Sequence, residues 1–301
     1  MNGLIALAAL HALAGTPSLG WNDCPLLRIA EQDASHSARL ERASAQLFEH
    51  PNSPPSQWPD EQLRLSTMLL TGNEPLTAPI LEAAVARWPN QPVVLERVLL
   101  HCQGKDDRWS PLCGQTWADQ LVAIDSDNGW AHLHAAHQAW LAETPSRAFD
   151  HLAAAVVADH MSPYWIAIDD AIDQSVDAAM PGGEDWGRYL LKAGISMAVW
   201  MPNLLAMCND DPGEGCLSVA QRLIDETPTT TARFGMTVFE RSDQDLDTKR
   251  VTALNEQLND LQQRLFCDKA LPSDFFLKQS TLPPAQLLRI LQETAAQSTS
   301  P

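Results

Sequence analysis

The stretch SDNGWAHLHAAHQAWLAETPSRAFDHLAAAVVADH, Ser126–His160, is the clearest indication of fold class in this chain. After Asn128, a typical N-cap residue, apolar and aromatic side chains recur every three or four residues, as on one face of an α-helix. A short turn follows, and Pro145 stands in the first turn of a second helix, where its missing N–H is tolerated. The second helix carries its own apolar stripe, formed by Ala148, Leu152 and Ala155. The stretch predicts two antiparallel amphipathic helices that pack together.

The rest of the chain has the same character. Its 301 residues include 21 Pro and 14 Gly, which divide the sequence into segments suited to short helices. No segment shows the sustained alternation of a β-strand. With 45% hydrophobic residues the chain has ample material for a core. We therefore expect an all-α protein.

The Ser126–His160 unit resembles a tetratricopeptide repeat. Ala136, Ala148 and Ala155 fall where that family has the small residues that let two helices approach closely. His132, Ala139 and Leu152 stand where the family has larger or aromatic residues, so the repeat is degenerate. The resemblance implies a right-handed superhelical array of antiparallel helix pairs, an α-solenoid.

Neighbouring turns suggest that the unit repeats. The turn WPNQP covers Trp88–Pro92, and a boundary at HMSPYW has Ser162 as N-cap candidate and Pro163 as first helical residue, 34 residues after Asn128. A spacing near 34 is the tetratricopeptide value. The predicted organisation is a possible signal peptide at 1–14, an N-terminal segment at 15–58, degenerate repeats at 59–180, a less regular helical region at 181–296 and a disordered tail at 297–301.

The N-terminal segment MNGLIALAALHALA is an uncharged apolar run with the length of a signal-peptide core, and it ends in small residues. No Lys or Arg precedes Arg28, so the usual basic start is missing, and a first helix of the fold is the alternative. The run is too short to cross a bilayer, and no later stretch reaches about 18 apolar residues. These features predict a periplasmic or secreted protein without a stable membrane span.

The six cysteines support export. Cys102 and Cys113 enclose one polar loop and Cys208 and Cys216 another, so these two pairs are the predicted disulfides. Cys24 and Cys267 would pair by elimination only. Six reduced thiols are the alternative.

Charge excludes one class of partner. The chain has 38 acidic against 20 Lys and Arg residues and a formal net charge of -18. Such a surface repels phosphate backbones, so we expect no nucleic-acid partner.

Chemical motifs are missing. We find no GxSxG, SxxK, HExxH or phosphate-binding loop, so the sequence predicts no catalytic residue, no metal site and no cofactor. Of His132, His134 and His137, only the last two could converge on one helix face, and His137 fits a core position better. Asp210, Asp211 and Glu214 lack EF-hand spacing, and the adjacent Asp169 and Asp170 point to different faces.

The resulting hypothesis is a non-catalytic binding or scaffold protein of the cell envelope, or a secreted one, that recognises a protein or peptide. The resemblance implies a concave groove lined by the first helix of each pair, which places Trp130, His134, Gln138 and Trp140 near the binding surface, with His134 exposed. Buried wedges between helices are the alternative role for the tryptophans. Oligomeric state is left open.

Two other functions stay open. One is a hydrolase-like enzyme with an unrecognised site in the C-terminal helical region. The other is a structural protein that self-associates through the leucine seam of a helix at 246–266, formed by Val251, Leu254, Leu258, Leu261 and Leu265. Packing of that seam across the end of the array is the interpretation we favour.

Overall fold

The described residues form α-helices and short 3-10 helices joined by turns and non-helical segments, and no β-strand occurs among them. The structure is a computed structural model that describes residues 42, 51–69, 77–102, 111–114, 116–164, 168, 171, 174–178, 206–208, 213–241, 245–267, 278–279 and 281–298. The prediction of an all-α protein is confirmed for this part of the chain.

The named α-helices fall into two groups along the chain, one ending at Val157 and the other beginning at Glu214. The first group comprises α1 (Asp60–Leu69), α2 (Thr77–Arg87), α3 (Pro92–His101), α4 (Trp117–Ile124), α5 (Gly129–Leu141) and α6 (Pro145–Val157). The second group comprises α7 (Glu214–Glu226), α8 (Thr229–Glu240), α9 (Asp245–Cys267) and α10 (Pro284–Ser298). Short 3-10 helices occupy Pro55–Gln57, Pro111–Gly114 and Ala206–Cys208.

Helices α5 and α6 are the predicted pair. The Asn128 side chain accepts a hydrogen bond from the backbone N–H of Trp130 at 3.0 Å and so caps α5. The three small residues of the pair, Ala136, Ala148 and Ala155, are fully buried. A methyl group at Gly129 would lie 2.8 Å from the Ala155 carbonyl oxygen, so the helices approach closely here too. The predicted reason for the small residues is confirmed.

Each of these ten helices packs on the next one named, from α1 to α10. One core joins Trp58 and α1 to α5, and a second joins α5 to α10. Helix α5 contributes to both cores, with Ala131 in the first and Leu133 in the second. At the C-terminal end α10 also packs on α7 and α8. The second group of helices therefore closes into a bundle.

The leucine seam lies inside this bundle. Val251, Leu258, Leu261 and Leu265 are buried in the second core, and Leu254 packs against it. Helix α9, which carries them, packs on α8 and α10. The seam therefore packs within the chain, whereas its place across the end of a repeat array stays a prediction.

The predicted helix start at Ser162 and Pro163 is wrong. Met161–Pro163 are not helical, and Tyr164 lies in a turn. The reason is the Asn128 amide, which donates to the Ser162 carbonyl at 2.9 Å and accepts from the Ser162 N–H at 3.0 Å. This pairing holds the segment extended beside the start of α5, where Asn128 and His160 form an isolated β-bridge.

Both predicted disulfides are present. Cys102 at the end of α3 bonds to Cys113 in the second 3-10 helix, with a Cα–Cα distance of 5.1 Å. Cys208 bonds to Cys216 in the first turn of α7, with a Cα–Cα distance of 5.8 Å. Paired cysteines are consistent with an oxidising extracellular compartment. No helix in the described ranges is long and apolar enough to cross a membrane.

Several predicted features lie outside the described residues: the signal-like segment 1–14, most of 15–58, Cys24, Asp169, Asp170, Asp210 and Asp211. Gln297 and Ser298, which were placed in the predicted disordered tail, belong to α10, and residues 299–301 lie outside the described residues.

Candidate functional site

The four predicted binding residues do not share one surface. Trp130 and His134 are 2% and 1% exposed, Gln138 is half-buried, and Trp140 is 36% exposed. The expectation that His134 is exposed is therefore wrong. Trp130 and His134 lie one turn apart on α5, with their rings edge to face at 5.8 Å, and that face of the helix meets α3.

Glu96 of α3 is the reason both side chains point inward. Its Oε1 atom accepts a 2.7 Å hydrogen bond from the indole N–H of Trp130 and lies 2.9 Å from Nε2 of His134. Glu96 is 2% exposed, and its Oε2 atom has no hydrogen-bond partner among the described residues. A buried carboxylate is tolerated only when it is well hydrogen-bonded, so these contacts tie α3 to α5.

A carboxylate beside an imidazole is also found in general-base pairs. Here both groups are almost completely buried, so the pair meets no substrate in this conformation. We assign it a structural role.

The neighbouring Arg97 is equally buried. It donates to the carbonyl oxygens of Thr67 and Met68 at 3.3 and 2.5 Å, at the C-terminal end of α1. A cation at that position satisfies free carbonyls and the negative end of the helix dipole. Glu96 and Arg97 are not among the functional residues predicted from the sequence. Their signal was available, since two adjacent charges interrupt the apolar run of α3.

His137 lies one turn beyond His134 and is 5% exposed. Burial, with a further contribution from His134, lowers the pKa of His137 to about 4. The imidazole is therefore neutral at pH 7, as expected of a core histidine.

The surface of the α5–α6 pair is distinguished by two exposed aromatic side chains. Trp140 and Phe149 meet edge to face, with ring centroids 6.5 Å apart, and Leu141 follows Trp140 in the chain. Their exposed fractions are 36%, 53% and 44% for Trp140, Phe149 and Leu141. We call these three residues the aromatic patch. By contrast, Trp58, Trp117 and Trp130 are buried.

The exposed large apolar residues of the described chain all lie between residues 124 and 157. They are Ile124, Trp140, Leu141, Phe149 and Val157. Among the described residues, exposure of large apolar side chains is therefore confined to α4, α5 and α6.

The turn beside the aromatic patch has an unusual backbone. Glu143 has a φ of 56°, a left-handed conformation normally taken by glycine. Its N–H donates to the Trp140 carbonyl, and the Thr144 N–H donates to the Ala139 carbonyl. This is the Schellman arrangement at a helix end, with Glu in the position that favours Gly.

Exposed charged side chains lie near the aromatic patch in the sequence. Arg147 bonds Asp119 of α4, and both are about half exposed. Glu143 and Asp150 are also exposed. The rim thus carries charges of both signs, as the rim of a protein-binding surface does.

Within the described residues no group of three or more His, Cys, Asp or Glu side chains could hold a metal ion. No protein-family model, curated protein or solved structure matches the chain. Any functional conclusion therefore depends on the surface of the molecule.

Proposed function

We propose that this chain is a non-catalytic binding or scaffold protein of an oxidising compartment, periplasmic or secreted, that recognises a protein or peptide. The aromatic patch is the observation that supports the proposal most directly. Rigid aromatic side chains give large contact area at low entropic cost, and they are enriched at the centres of protein interfaces. Trp140 was already a predicted binding residue, and Phe149 and Leu141 take the place of the buried Trp130 and His134.

We further propose that α1 to α6 form a tetratricopeptide-like superhelical array. Sequential packing from each helix to the next and the small residues between α5 and α6 support this arrangement. Arrays of this kind stabilise themselves through nearest neighbours and leave extended surfaces for partners.

The backbone of the Glu143 turn gives secondary support. Non-glycine residues in the left-handed region are uncommon and collect at functional sites. Here the residue separates Leu141 from Phe149 and sets the direction in which α6 leaves the turn.

The proposal can be tested by cross-linking in the native host, followed by capture of the tagged protein. A Trp140→Ser/Phe149→Ser variant should lose a stoichiometric partner that the wild-type protein retains. Val157→Ser is the matched control, because Val157 is 79% exposed on the same helix but lies about 12 Å from Phe149 along it.

Equal capture by both variants would remove the aromatic patch from the interface. Capture of nothing by the wild-type protein would count against a scaffold function and favour the enzymatic alternative, to be tested with activity-based hydrolase probes.

A further inference from the structure

Two histidines from different helices meet on the surface of the α5–α6 pair. His132 of α5 and His151 of α6 have ring centroids 5.8 Å apart and ring planes inclined by 38°. The residues are 19 positions apart in the chain, and both are half-buried. They lie away from the Glu96 contacts, because His132 and His134 project from different sides of α5.

The hydrogen bonding of His132 fixes which ring nitrogen is free. Its Nε2 atom lies 3.0 Å from the Ser126 carbonyl oxygen, which can only accept, so Nε2 carries the proton. In the neutral ring Nδ1 then holds the lone pair. That atom is buried and has no hydrogen-bond partner among the described residues. Metal-binding histidines characteristically donate their second N–H to a backbone carbonyl in this way.

His151 is also held in a form able to bind. Burial lowers its pKa, and the charges of His132 and Arg147 act in the same direction. Asp119 and Asp150 oppose this shift, so charges of both signs lie near the His151 ring. A neutral imidazole offers a lone pair at neutral pH.

We propose that His132 and His151 form a two-histidine site for a borderline divalent metal ion of the Zn²⁺ and Cu²⁺ class. Zinc–nitrogen bonds of about 2.0 to 2.1 Å place two imidazole centres on one ion roughly 5 to 6 Å apart. The observed separation of 5.8 Å between the ring centroids falls in that range. Imidazole selects Zn²⁺ and Cu²⁺ over Mg²⁺ and Ca²⁺, which prefer oxygen. Since no third protein ligand is available among the described residues, water completes the coordination.

The test is titration of the full, disulfide-bonded protein, without a histidine tag, with ZnCl₂ at pH 7.5 by isothermal calorimetry. We expect one zinc per chain, and His132→Ala and His151→Ala should each weaken binding at least about tenfold. His160→Ala is the matched control, because His160 is exposed just beyond the end of α6 and is not one of the two paired rings. MgCl₂ should give no binding heat.

A second measurement does not depend on the variants folding. Two-bond ¹H–¹⁵N spectra of the wild-type imidazoles should show the largest zinc-dependent shifts on His132 Nδ1 and on one nitrogen of His151. Zinc binding that is unchanged in both His132→Ala and His151→Ala would overturn the proposal. So would an absence of zinc binding, or zinc-dependent shifts confined to other histidines.

Discussion

Arg222 of α7 donates a hydrogen bond to the Ala155 carbonyl oxygen of α6 at 2.9 Å. The same Nη1 atom reaches the carbonyls of Val156 and Ala158, and the other guanidinium nitrogens bond the Glu226 carboxylate at 2.7 Å. One cation thus satisfies the free carbonyls at the end of α6 and joins helices that are more than 50 residues apart in the chain.

We predict that Arg222→Met lowers the free energy of unfolding by about 2 kcal/mol, because it removes charge-assisted bonds from a side chain that is 15% exposed. Urea denaturation followed by circular dichroism would measure the change. Arg147→Met is the control: its ion pair with Asp119 is half exposed, so its loss should cost less than about 0.5 kcal/mol. Equal losses in the two variants would contradict the role given to Arg222.

Removal of the Glu96 carboxylate should be among the most damaging single changes. Glu96→Ala leaves the Trp130 N–H and the His134 ring without their buried partner, and we expect a loss of about 3 to 5 kcal/mol. Glu96→Gln keeps an oxygen acceptor and should cost clearly less. Glu82→Ala, an exposed change on α2, should stay within about 0.5 kcal/mol. Chemical denaturation of the three variants would rank them, and a Glu96→Ala protein as stable as Glu82→Ala would refute the assignment.

Stability should fall on mild acidification because of His137. The unfolded chain binds a proton near the ordinary pKa of 6.5, whereas the folded protein resists protonation down to about 4. The unfolded state therefore gains relative to the folded state as the pH falls through this window, by up to about 3 kcal/mol. The destabilisation caused by His137 is therefore absent above about pH 6.5, grows as the pH falls, and stays constant below about pH 4.

The comparison is between wild type and His137→Gln in urea at pH 7, 6, 5 and 4.5. Carboxylates titrate in both proteins and cancel in the difference. The variant should show the shallower decline, and parallel curves would mean that His137 is not held neutral.

Two glycines should respond oppositely to alanine. A methyl group at Gly235 of α8 would overlap the Ala220 carbonyl oxygen of α7, so Gly235→Ala should cost about 1 to 3 kcal/mol. At Gly215, near the start of α7, nothing lies within 4 Å of the added methyl. Gly215→Ala should be neutral or stabilise by up to about 1 kcal/mol. Thermal unfolding of both variants tests whether α7 and α8 touch backbone to backbone.

The substitution of Glu by Gly should have opposite effects on the free energy of unfolding at two positions, Glu143 and Glu82. Glu143→Gly relieves a left-handed φ of 56° and should stabilise the protein by about 1 kcal/mol. Glu82→Gly, in the interior of α2, should destabilise it by about the same amount. If Glu143→Gly instead lowers the melting temperature, the Glu143 side chain makes a contribution larger than its backbone strain.

The local elements of this protein were readable in its sequence. The α5–α6 pair, its Asn128 cap, its buried alanines and the two disulfides depend on residues within about 35 positions of one another. Short-range capping, helical periodicity and loop closure act over such distances, so composition and spacing reveal them.

The sequence did not predict which polar side chains point into the core and which groups they meet there. The sequence predicted that His134 is exposed, but in the structure its ring is buried against Glu96, which lies 38 positions earlier in the chain. Likewise the ring of His132 lies beside that of His151 on the facing helix. Within α5 alone, His132 could be related only to His134 and His137. A side chain's helix face follows from its own neighbours in the chain, but the group that meets that face is set by packing between distant segments. That packing buries Trp130, leaves Trp140 36% exposed, and places the aromatic patch near the turn of the hairpin.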